Sequence, residues 1–188
     1  ALLGESGSGK STLLNVLAAM CSAEGAYEIN GRPVHDYAYA DFRRQVTLLP
    51  QKSFVFSASI RDNISMFSCG AQENEALRQT LADAGLASWY AARGASMDVR
   101  IGGEAHALSG GEERRLDLAR TLWRKGSLVM LDEPTAGLDA GTRAALEKQI
   151  LTLPCDILLV TTHNASPEFL KAFTHVFSMR NGALCDAP

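Results

Sequence analysis

Apolar residues fall along this chain in two patterns, continuous runs and helical spacing. Nearly continuous apolar runs at 45–49, 127–132 and 156–161 predict buried strands, as in a parallel sheet. Stretches in which apolar residues recur every three or four positions predict helices between these strands. The alternation indicates an α/β protein with a mostly parallel sheet. The predicted helices cover residues 10–20, 39–44, 73–84, 87–92, 113–122 and 142–153, and another is predicted to start within 57–63.

The segment 71–125 has helical patterns and is predicted to be a helical subdomain inserted into this α/β fold. Its last helix has Ser109 at the N-cap position, followed by Gly110 and Gly111. Such a helix start favours a bound anion, because the helix dipole and unpaired backbone N–H groups lie there. An ordinary capped helix explains the same residues equally well.

Short strands are predicted near both ends of the chain. Ala1-Leu2-Leu3 has the pattern of the last residues of a strand, so we expect the sequence to be a fragment of a domain whose first strands lie upstream. Residues 26–31 predict a short strand that ends in an Asn-Gly turn, and 175–184 predict a closing hairpin.

Composition adds limits on the kind of protein. The chain has 188 residues, of which 46% are hydrophobic and 21% charged, and this suits one globular domain with a hydrophobic core. Its formal net charge of −3 argues against a large nucleic-acid surface. No run of 18 apolar residues is present, so this sequence predicts no membrane span of its own. The four cysteines are scattered without a C-x-x-C pair, which disfavours a metal site or a disulfide framework.

The segment Gly4-Glu5-Ser6-Gly7-Ser8-Gly9-Lys10-Ser11-Thr12 matches the phosphate-binding pattern G-x-x-x-x-G-K-[ST]. Glycines allow the backbone to turn tightly and to direct N–H groups at phosphate oxygens. In this pattern Lys10 reaches the β- and γ-phosphates, and the Ser11 hydroxyl can ligate Mg²⁺. The sequence therefore predicts a nucleotide phosphate site at the start of the first helix.

Polar side chains follow each of the predicted buried strands. Asp132 and Glu133 close the run 127–132, Gln51 follows 45–49, and His163 follows 156–161. Open α/β sheets bind their ligands at the carboxyl ends of the strands. Beside a phosphate site, Asp132 can hold Mg²⁺ and Glu133 can polarise an attacking water. Taken alone, a glutamine such as Gln51 is usually a loop residue, and a histidine such as His163 is usually an ordinary surface or core residue.

The ordered set of motifs resembles the nucleotide-binding domain of ATP-binding cassette (ABC) transporters. The resemblance runs through the phosphate loop, Gln51, Leu108-Ser-Gly-Gly-Glu112, Leu131-Asp-Glu133, Asp139 and His163. It implies the P-loop NTPase fold, Mg²⁺-dependent ATP hydrolysis, and two such domains working as a pair.

The resemblance also implies a role for each matching residue. The phosphate loop Gly4 to Thr12 would be the Walker A motif, and Gln51 the Q-loop glutamine near Mg²⁺ and the membrane domain. Ser109, Gly110 and Gly111 would touch the ATP γ-phosphate of the opposite subunit. Asp132 and Glu133 would be the Walker B pair that serves Mg²⁺ and catalysis, Asp139 the D-loop acid, and His163 the switch histidine.

Finer features resemble exporters whose ATPase domain follows a membrane domain. The stretch Phe54-Val-Phe-Ser-Ala-Ser-Ile-Arg-Asp-Asn63 is similar to the segment after the Q-loop in such domains. Gly102-Gly103 with Leu108 to Leu116 looks most like the C subunit of bacterial cytochrome bd-assembly exporters of cysteine and glutathione. The resemblance implies a transmembrane partner, a homo- or heterodimeric second ABC domain, and a place at the cytoplasmic face of the inner membrane, with no nucleic acid bound.

Two alternatives remain open at the level of sequence. A non-transport ABC ATPase acting on DNA or ribosomes shares the same motifs, although fewer than 60 residues separate Gln51 from Leu108, too few for the long coiled coil of chromosome-type members. A module that binds ATP without hydrolysing it is the second alternative. Intact Glu133 and His163 argue against that reading.

Overall fold

A computed structural model of the chain describes residues 1–103 and 107–186. Strands β1 to β10 cover, in order, Leu2–Leu3, Glu28–Ile29, Arg32–Pro33, Val46–Leu49, Ala58–Ser59, Arg100–Ile101, Leu128–Asp132, Ile157–Thr162, Phe177–Arg180 and Ala183–Asp186. Helices α1 to α8 cover Lys10–Leu17, Tyr39–Gln45, Ile60–Ser65, Asn74–Asp83, Ala87–Ala92, Gly110–Arg124, Ala140–Ile150 and Pro167–Lys171. Short 3₁₀ helices cover Val34–Asp36 and Ala71–Glu73.

Six strands form the main sheet in the order β10-β9-β1-β8-β7-β4. All neighbouring pairs are parallel except β9 and β10, which form an antiparallel hairpin. The pairing of β7 with β8 places Asp132 opposite Thr161 at the end of both strands. Because parallel strands end at one edge, the residues that follow β1, β4, β7 and β8 meet there. This confirms the predicted α/β P-loop fold with a mostly parallel sheet.

The chain divides into two compact units. The first contains Ala1–Gln51, Lys125–Pro134 and Cys155–Pro188, and holds the main sheet with α1, α2 and α8. The second contains Lys52–Arg124 and Thr135–Pro154, and holds α3 to α7 with the small β5-β6 ladder. Within the described ranges no helix combines the length and the apolar character that a membrane crossing requires.

All predicted helix ranges except 87–92 differ from the observed bounds by one to three residues at an end, and two of the differences have a clear local cause. Helix α1 ends at Leu17 instead of Met20, because Ala19 takes a left-handed conformation with φ of 51° that stops the helical hydrogen bonding. The helix predicted to start within 57–63 begins at Ile60, since Ala58–Ser59 pairs as a strand and the Ser59 hydroxyl caps the helix by accepting from the Asp62 N–H.

Helix α8 has no counterpart among the elements predicted from the hydrophobic pattern. Ser166 is its N-cap and accepts a hydrogen bond from the Phe169 N–H, while Pro167 occupies the first helical position. Ser followed by Pro is a standard helix start signal, because proline lacks the N–H that would have no partner there. The signal was therefore present in the sequence, but only five residues of helix follow it.

A hydrophobic cluster fixes α1 against the sheet in the first unit. Leu14 of α1 and Ala18, the residue that follows this helix, are fully buried against Phe42, Val46 and Met130. The cluster joins α1 and α2 to strands β4 and β7. It thereby determines where the N-terminus of α1 lies relative to the ends of those strands.

A cavity of about 1100 Å³ lies at the opposite edge of the same unit. Its wall includes the amino ends of the strands, at Val46, Leu128 and Ile157, together with Phe42 and Phe177. None of the predicted phosphate-site or acidic residues lines it. This cavity is therefore separate from the edge at which the polar site residues meet.

We predict that Leu14→Ala lowers the free energy of unfolding by about 2–5 kcal/mol, since it leaves a cavity beneath α1. The control is Leu184→Ala, because Leu184 is 55% exposed in the same unit and its removal should cost about 0.5 kcal/mol or less. Urea unfolding followed by circular dichroism measures both changes. Equal losses for the two variants would contradict the packing described for α1.

Candidate nucleotide site

The phosphate loop connects β1 to α1, and its backbone leaves the start of α1 open. Gly9 is the N-cap with φ of 105°, a left-handed conformation that favours glycine, and no side chain caps the helix. A Cβ on Gly4 would lie 2.6 Å from the Met179 carbonyl oxygen, so only glycine fits that turn. The first N–H groups of α1 lack acceptors within the helix. They are therefore available to an anion.

Ser8 gives a second indication of ligand binding in this loop. Its side-chain oxygen is buried and has no hydrogen-bond partner among the described residues. Buried polar atoms are normally satisfied, and an exception requires a reason. An oxygen-rich ligand in the loop would supply the missing partner, so the residues present fit a phosphate group.

Lys10 lies at the centre of the loop and is only 4% exposed. Its Nζ donates hydrogen bonds to the carbonyl oxygens of Gly4 at 2.7 Å and Glu5 at 2.9 Å. The same Nζ lies 3.3 Å from Oε1 of Glu133. The first helix and the end of β7 are thus joined by an ion pair that is almost completely removed from water.

The carboxylate of Glu133 is the point at which the predicted catalytic residues meet. Its other oxygen, Oε2, accepts a hydrogen bond from Nε2 of Gln51 at 3.0 Å and lies 3.2 Å from Nδ1 of His163. The side chain of Glu133 is 9% exposed, whereas that of His163 is 50% exposed. The structure therefore brings together Lys10, Gln51, Glu133 and His163, which the sequence places after four different strands.

The backbone at Glu133 is strained. Its φ is 46°, which non-glycine residues adopt rarely and which clusters at functional sites in proteins. Two hydrogen bonds hold it there, because the Glu133 N–H donates to the carbonyl oxygen of Thr161 at 3.1 Å and to its Oγ1 at 3.0 Å. The neighbouring strand therefore sets the direction of the acidic side chain.

Thr161 is a site residue that sequence reasoning missed. Its buried hydroxyl donates to Oδ1 of Asp132 at 2.6 Å while it accepts from the Glu133 N–H. One threonine thus orients both acids. The only signal in the sequence was its position at the end of the run 156–161, level with the acids on a neighbouring strand.

The three residues predicted to ligate Mg²⁺ are distributed around this centre. Ser11 is in the first turn of α1 and is exposed. Asp132 is buried beside Glu133, and Gln51 contacts the Glu133 carboxylate. Among the described residues no cluster of three or more histidine, cysteine, aspartate or glutamate side chains forms a dedicated metal site. A hydroxyl, one carboxylate and an amide oxygen nevertheless suit Mg²⁺, which usually keeps several waters.

Ser109, Gly110, Gly111 and Asp139 lie in the second unit. Ser109 and Glu112 form a reciprocal capping box: the Ser109 N–H donates to Oε2 of Glu112 at 2.8 Å, and the Glu112 N–H donates to Oγ of Ser109 at 3.4 Å. Gly110 and Gly111 form the first turn of α6. The predicted N-cap is therefore confirmed as a local structure.

Asp139 caps the start of α7. Its Oδ1 accepts hydrogen bonds from the N–H groups of Gly141 and Thr142, both at 3.0 Å. Hydrogen bonding to Thr142 is the main reason why the pKa of Asp139 is lowered. A Cβ on Gly111 would lie 3.2 Å from Cγ2 of Thr142, so the starts of α6 and α7 are neighbours.

Residues 1–136 match the sequence pattern of the ABC transporter family. The chain belongs to this family. It is 37% identical over 200 residues to the glutathione/L-cysteine transport system ATP-binding/permease protein CydC of Escherichia coli, an alignment that covers 99% of this chain and 32% of the relative. It is 30% identical over 189 residues to the ATP-dependent lipid A-core flippase of Xylella fastidiosa, covering 100% of this chain and 32% of that protein.

Comparison with solved structures supports the fold. A bacterial Atm1-family ABC exporter with ATP bound superposes with a TM-score of 0.83 at 24% identity, over 98% of this chain and 32% of the exporter chain. The chain therefore spans about a third of the length of the relatives that it matches.

We predict that Thr161→Val lowers the free energy of unfolding by about 1–3 kcal/mol, because it leaves a buried oxygen of Asp132 without its donor. The matched control is Thr162→Val, whose hydroxyl only accepts from the Asn164 N–H, so its loss should cost about 0.5–1.5 kcal/mol. Urea unfolding compares the two. A Thr161→Val variant no less stable than the control would show that the threonine does not hold the acids.

Proposed function

We propose that this chain is the ATP-hydrolysing domain of an exporter, and that ATP binding and hydrolysis in a pair of such domains drive transport. The observation that carries the proposal is the convergence of Lys10, Gln51 and His163 on the buried carboxylate of Glu133. A structural acid at a strand end needs no such set of partners. An acid that must orient a water beside a phosphate group does need them.

The phosphate loop would bind the β- and γ-phosphates of ATP. The open N-terminus of α1 offers backbone N–H groups and a partial positive charge, and Ser8 offers an unpaired hydroxyl. Lys10 would exchange its contacts with the loop carbonyls for phosphate oxygens. Because Lys10 also pairs with Glu133, phosphate binding in this loop is linked to the acid.

Glu133 would act as the group that polarises the attacking water, with His163 and Gln51 holding the carboxylate in place. Half of the His163 side chain is exposed, so His163 can also reach a ligand on the open side of the site. Ser11, Asp132 and Gln51 would hold Mg²⁺. Bound there, the ion neutralises charge that develops on the β- and γ-phosphates. The two hydrogen bonds from the Glu133 N–H to Thr161 support the left-handed backbone conformation that directs this carboxylate.

The starts of α6 and α7 would act on the ATP bound by a second ABC domain. Since the hydroxyl of Ser109 is engaged in its own capping box, the backbone of Gly110 and Gly111 would supply most of the contact to the γ-phosphate. Asp139 lies exposed beside them and would contact the partner domain. The site is thus completed only when two domains pair.

The names of the relatives indicate a class of transported compound. Three relatives, 31% to 37% identical to this chain, are named for glutathione/L-cysteine transport, and the relative from Xylella fastidiosa, at 30% identity, is named as a lipid A-core flippase. We infer a thiol compound of the cysteine or glutathione class as cargo, with a transmembrane domain as partner and the cytoplasmic face of the inner membrane as location.

We predict that Glu133→Gln slows ATP hydrolysis by about 100- to 10,000-fold, because the neutral amide cannot polarise the attacking water. ATP binding should persist, since the phosphate loop is unchanged. Phosphate release by the full-length protein measures hydrolysis, and calorimetry measures binding. The control is Glu168→Gln, an exposed acid at the start of α8 that should leave both unchanged.

Hydrolysis by Glu133→Gln at the rate of the control would contradict the role given to this acid. ATP binding without hydrolysis in the unaltered protein would instead favour a module that binds nucleotide only.

A further inference from the structure

Arg120 in α6 donates four hydrogen bonds. Its guanidinium donates to the carbonyl oxygen of Phe54 at 2.6 Å, and to the carbonyl oxygen and Oδ1 of Asn63 at 2.7 and 3.0 Å. It also donates to Oδ1 of Asp117 at 2.9 Å. All of these residues belong to the second unit. One side chain thus joins α6 to two separate points of the segment 54–63.

Asn63 completes the connection from the other side. It is fully buried, its Oδ1 accepts from the Phe56 N–H, and its Nδ2 donates to the carbonyl oxygens of Phe56 and Ser59. Arg120 and Asn63 together therefore define the backbone path from Phe54 to Ser59. The guanidinium also lies 5.7 Å from the centre of the Phe56 ring.

Residues 54–67 carry an exposed apolar patch, here called the aromatic patch, that is formed by Phe54, Phe56, Met66 and Phe67. Phe54 and Phe67 are 62% and 59% exposed, although each packs edge-on against Phe56. Met66 and Phe67 have φ of 54° and 62°, left-handed values that are costly for large side chains. Exposed aromatic residues on a strained backbone indicate a contact surface, since neither feature stabilises the domain itself.

We propose that Arg120 is a positioning residue that fixes the aromatic patch to α6, so that the patch and the Ser109 end of this helix move as one body. The proposal rests on the function proposed above, in which the start of α6 contacts ATP on the partner domain. Arg120 lies about 16 Å along the helix axis from Ser109. A displacement of the patch would then reach the start of α6 through a rigid helix.

The chemistry of the site requires arginine in particular. A guanidinium presents several N–H groups in a fixed plane and can serve four acceptors at once, whereas lysine cannot span them with one ammonium. Burial lowers the pKa of Arg120 and raises that of Asp117, with the ion pair between them opposing both changes. The pair is therefore desolvated, and loss of the guanidinium would leave Asp117 buried with less compensation.

The experiment compares Arg120→Met and Arg120→Lys with unaltered full-length protein. The matched control is Arg78→Met on α4, whose guanidinium donates to the exposed carboxylate of Glu75. Hydrogen exchange of peptides covering 52–68 reports the order of the segment, and peptides covering 1–20 report the phosphate loop. ATP hydrolysis is measured in the same preparations.

We expect Arg120→Met to accelerate exchange in 52–68 but not in 1–20, and to lower kcat about 10- to 100-fold while KM for ATP changes less than about threefold. Arg120→Lys should keep the fold but restore neither property fully, and Arg78→Met should behave as unaltered protein. The substitution Phe54→Ala should also lower kcat. The double variant Phe54→Ala/Arg120→Met should have a kcat no lower than that of the slower single variant.

Unchanged hydrogen exchange in 52–68 for both Arg120 variants would overturn the proposal. So would a double variant whose fold-loss in kcat equals the product of the fold-losses of the two single variants. If Arg120→Met fails to fold, hydrogen exchange and kcat of the Arg120→Lys protein test the proposal without it. Failure of the proposed function is seen separately, as absence of ATP hydrolysis in the unaltered protein, and it leaves the exchange result interpretable.

Discussion

The ion pair between Lys10 and Glu133 is the interaction on which the organisation of this site depends. A buried charge pair is stable only when the groups around it are hydrogen-bonded. Here Lys10 is bonded by the carbonyls of the phosphate loop, and Glu133 by Gln51, His163 and the Thr161 backbone and hydroxyl. The loops after four parallel strands are therefore tied to one carboxylate. A phosphate group that attracts Lys10 must change the balance of charge at that carboxylate.

Three helix starts in this chain illustrate how capping decides what a helix can bind. α1 begins at Gly9 with no side-chain cap, α6 begins with the Ser109 and Glu112 capping box, and α7 begins with Asp139 bonded to two N–H groups. Of these three starts, only the first has no side-chain cap on its N–H groups. The other two starts have some of their N–H groups bonded to capping side chains, so what they can offer to another molecule is the remaining backbone N–H groups and the helix dipole.

The sequence predicted the parts of this structure that depend on local chemistry. The phosphate loop, the acids at the end of β7 and the N-cap of α6 all follow from short patterns whose physical meaning is local. The buried strands were predicted because continuous apolar runs have few other uses in a chain of this size. Helix α8 was missed because it is short, although Ser166-Pro167 marks its start.

What the sequence did not reveal depends on contacts between distant segments. Thr161 and Arg120 look like ordinary strand and helix residues, and their roles appear only when β8 lies beside β7 and α6 lies against 54–63. The left-handed conformations of Glu133 and Phe67 were equally invisible, since no glycine or asparagine marks either position. The type of a residue indicates the chemistry that its own side chain can perform. It does not indicate which distant residues that side chain holds in position.

The central claim is that Lys10 and the loop around it bind the phosphates of ATP, and ATP titration of full-length Lys10→Ala protein by calorimetry tests it most directly. Loss of one charged contact should weaken ATP binding about ten- to a hundred-fold. Lys171→Ala, an exposed lysine on α8 in the same unit, should bind ATP as the unaltered protein does. Equal ATP affinity in Lys10→Ala and Lys171→Ala proteins would contradict the claim.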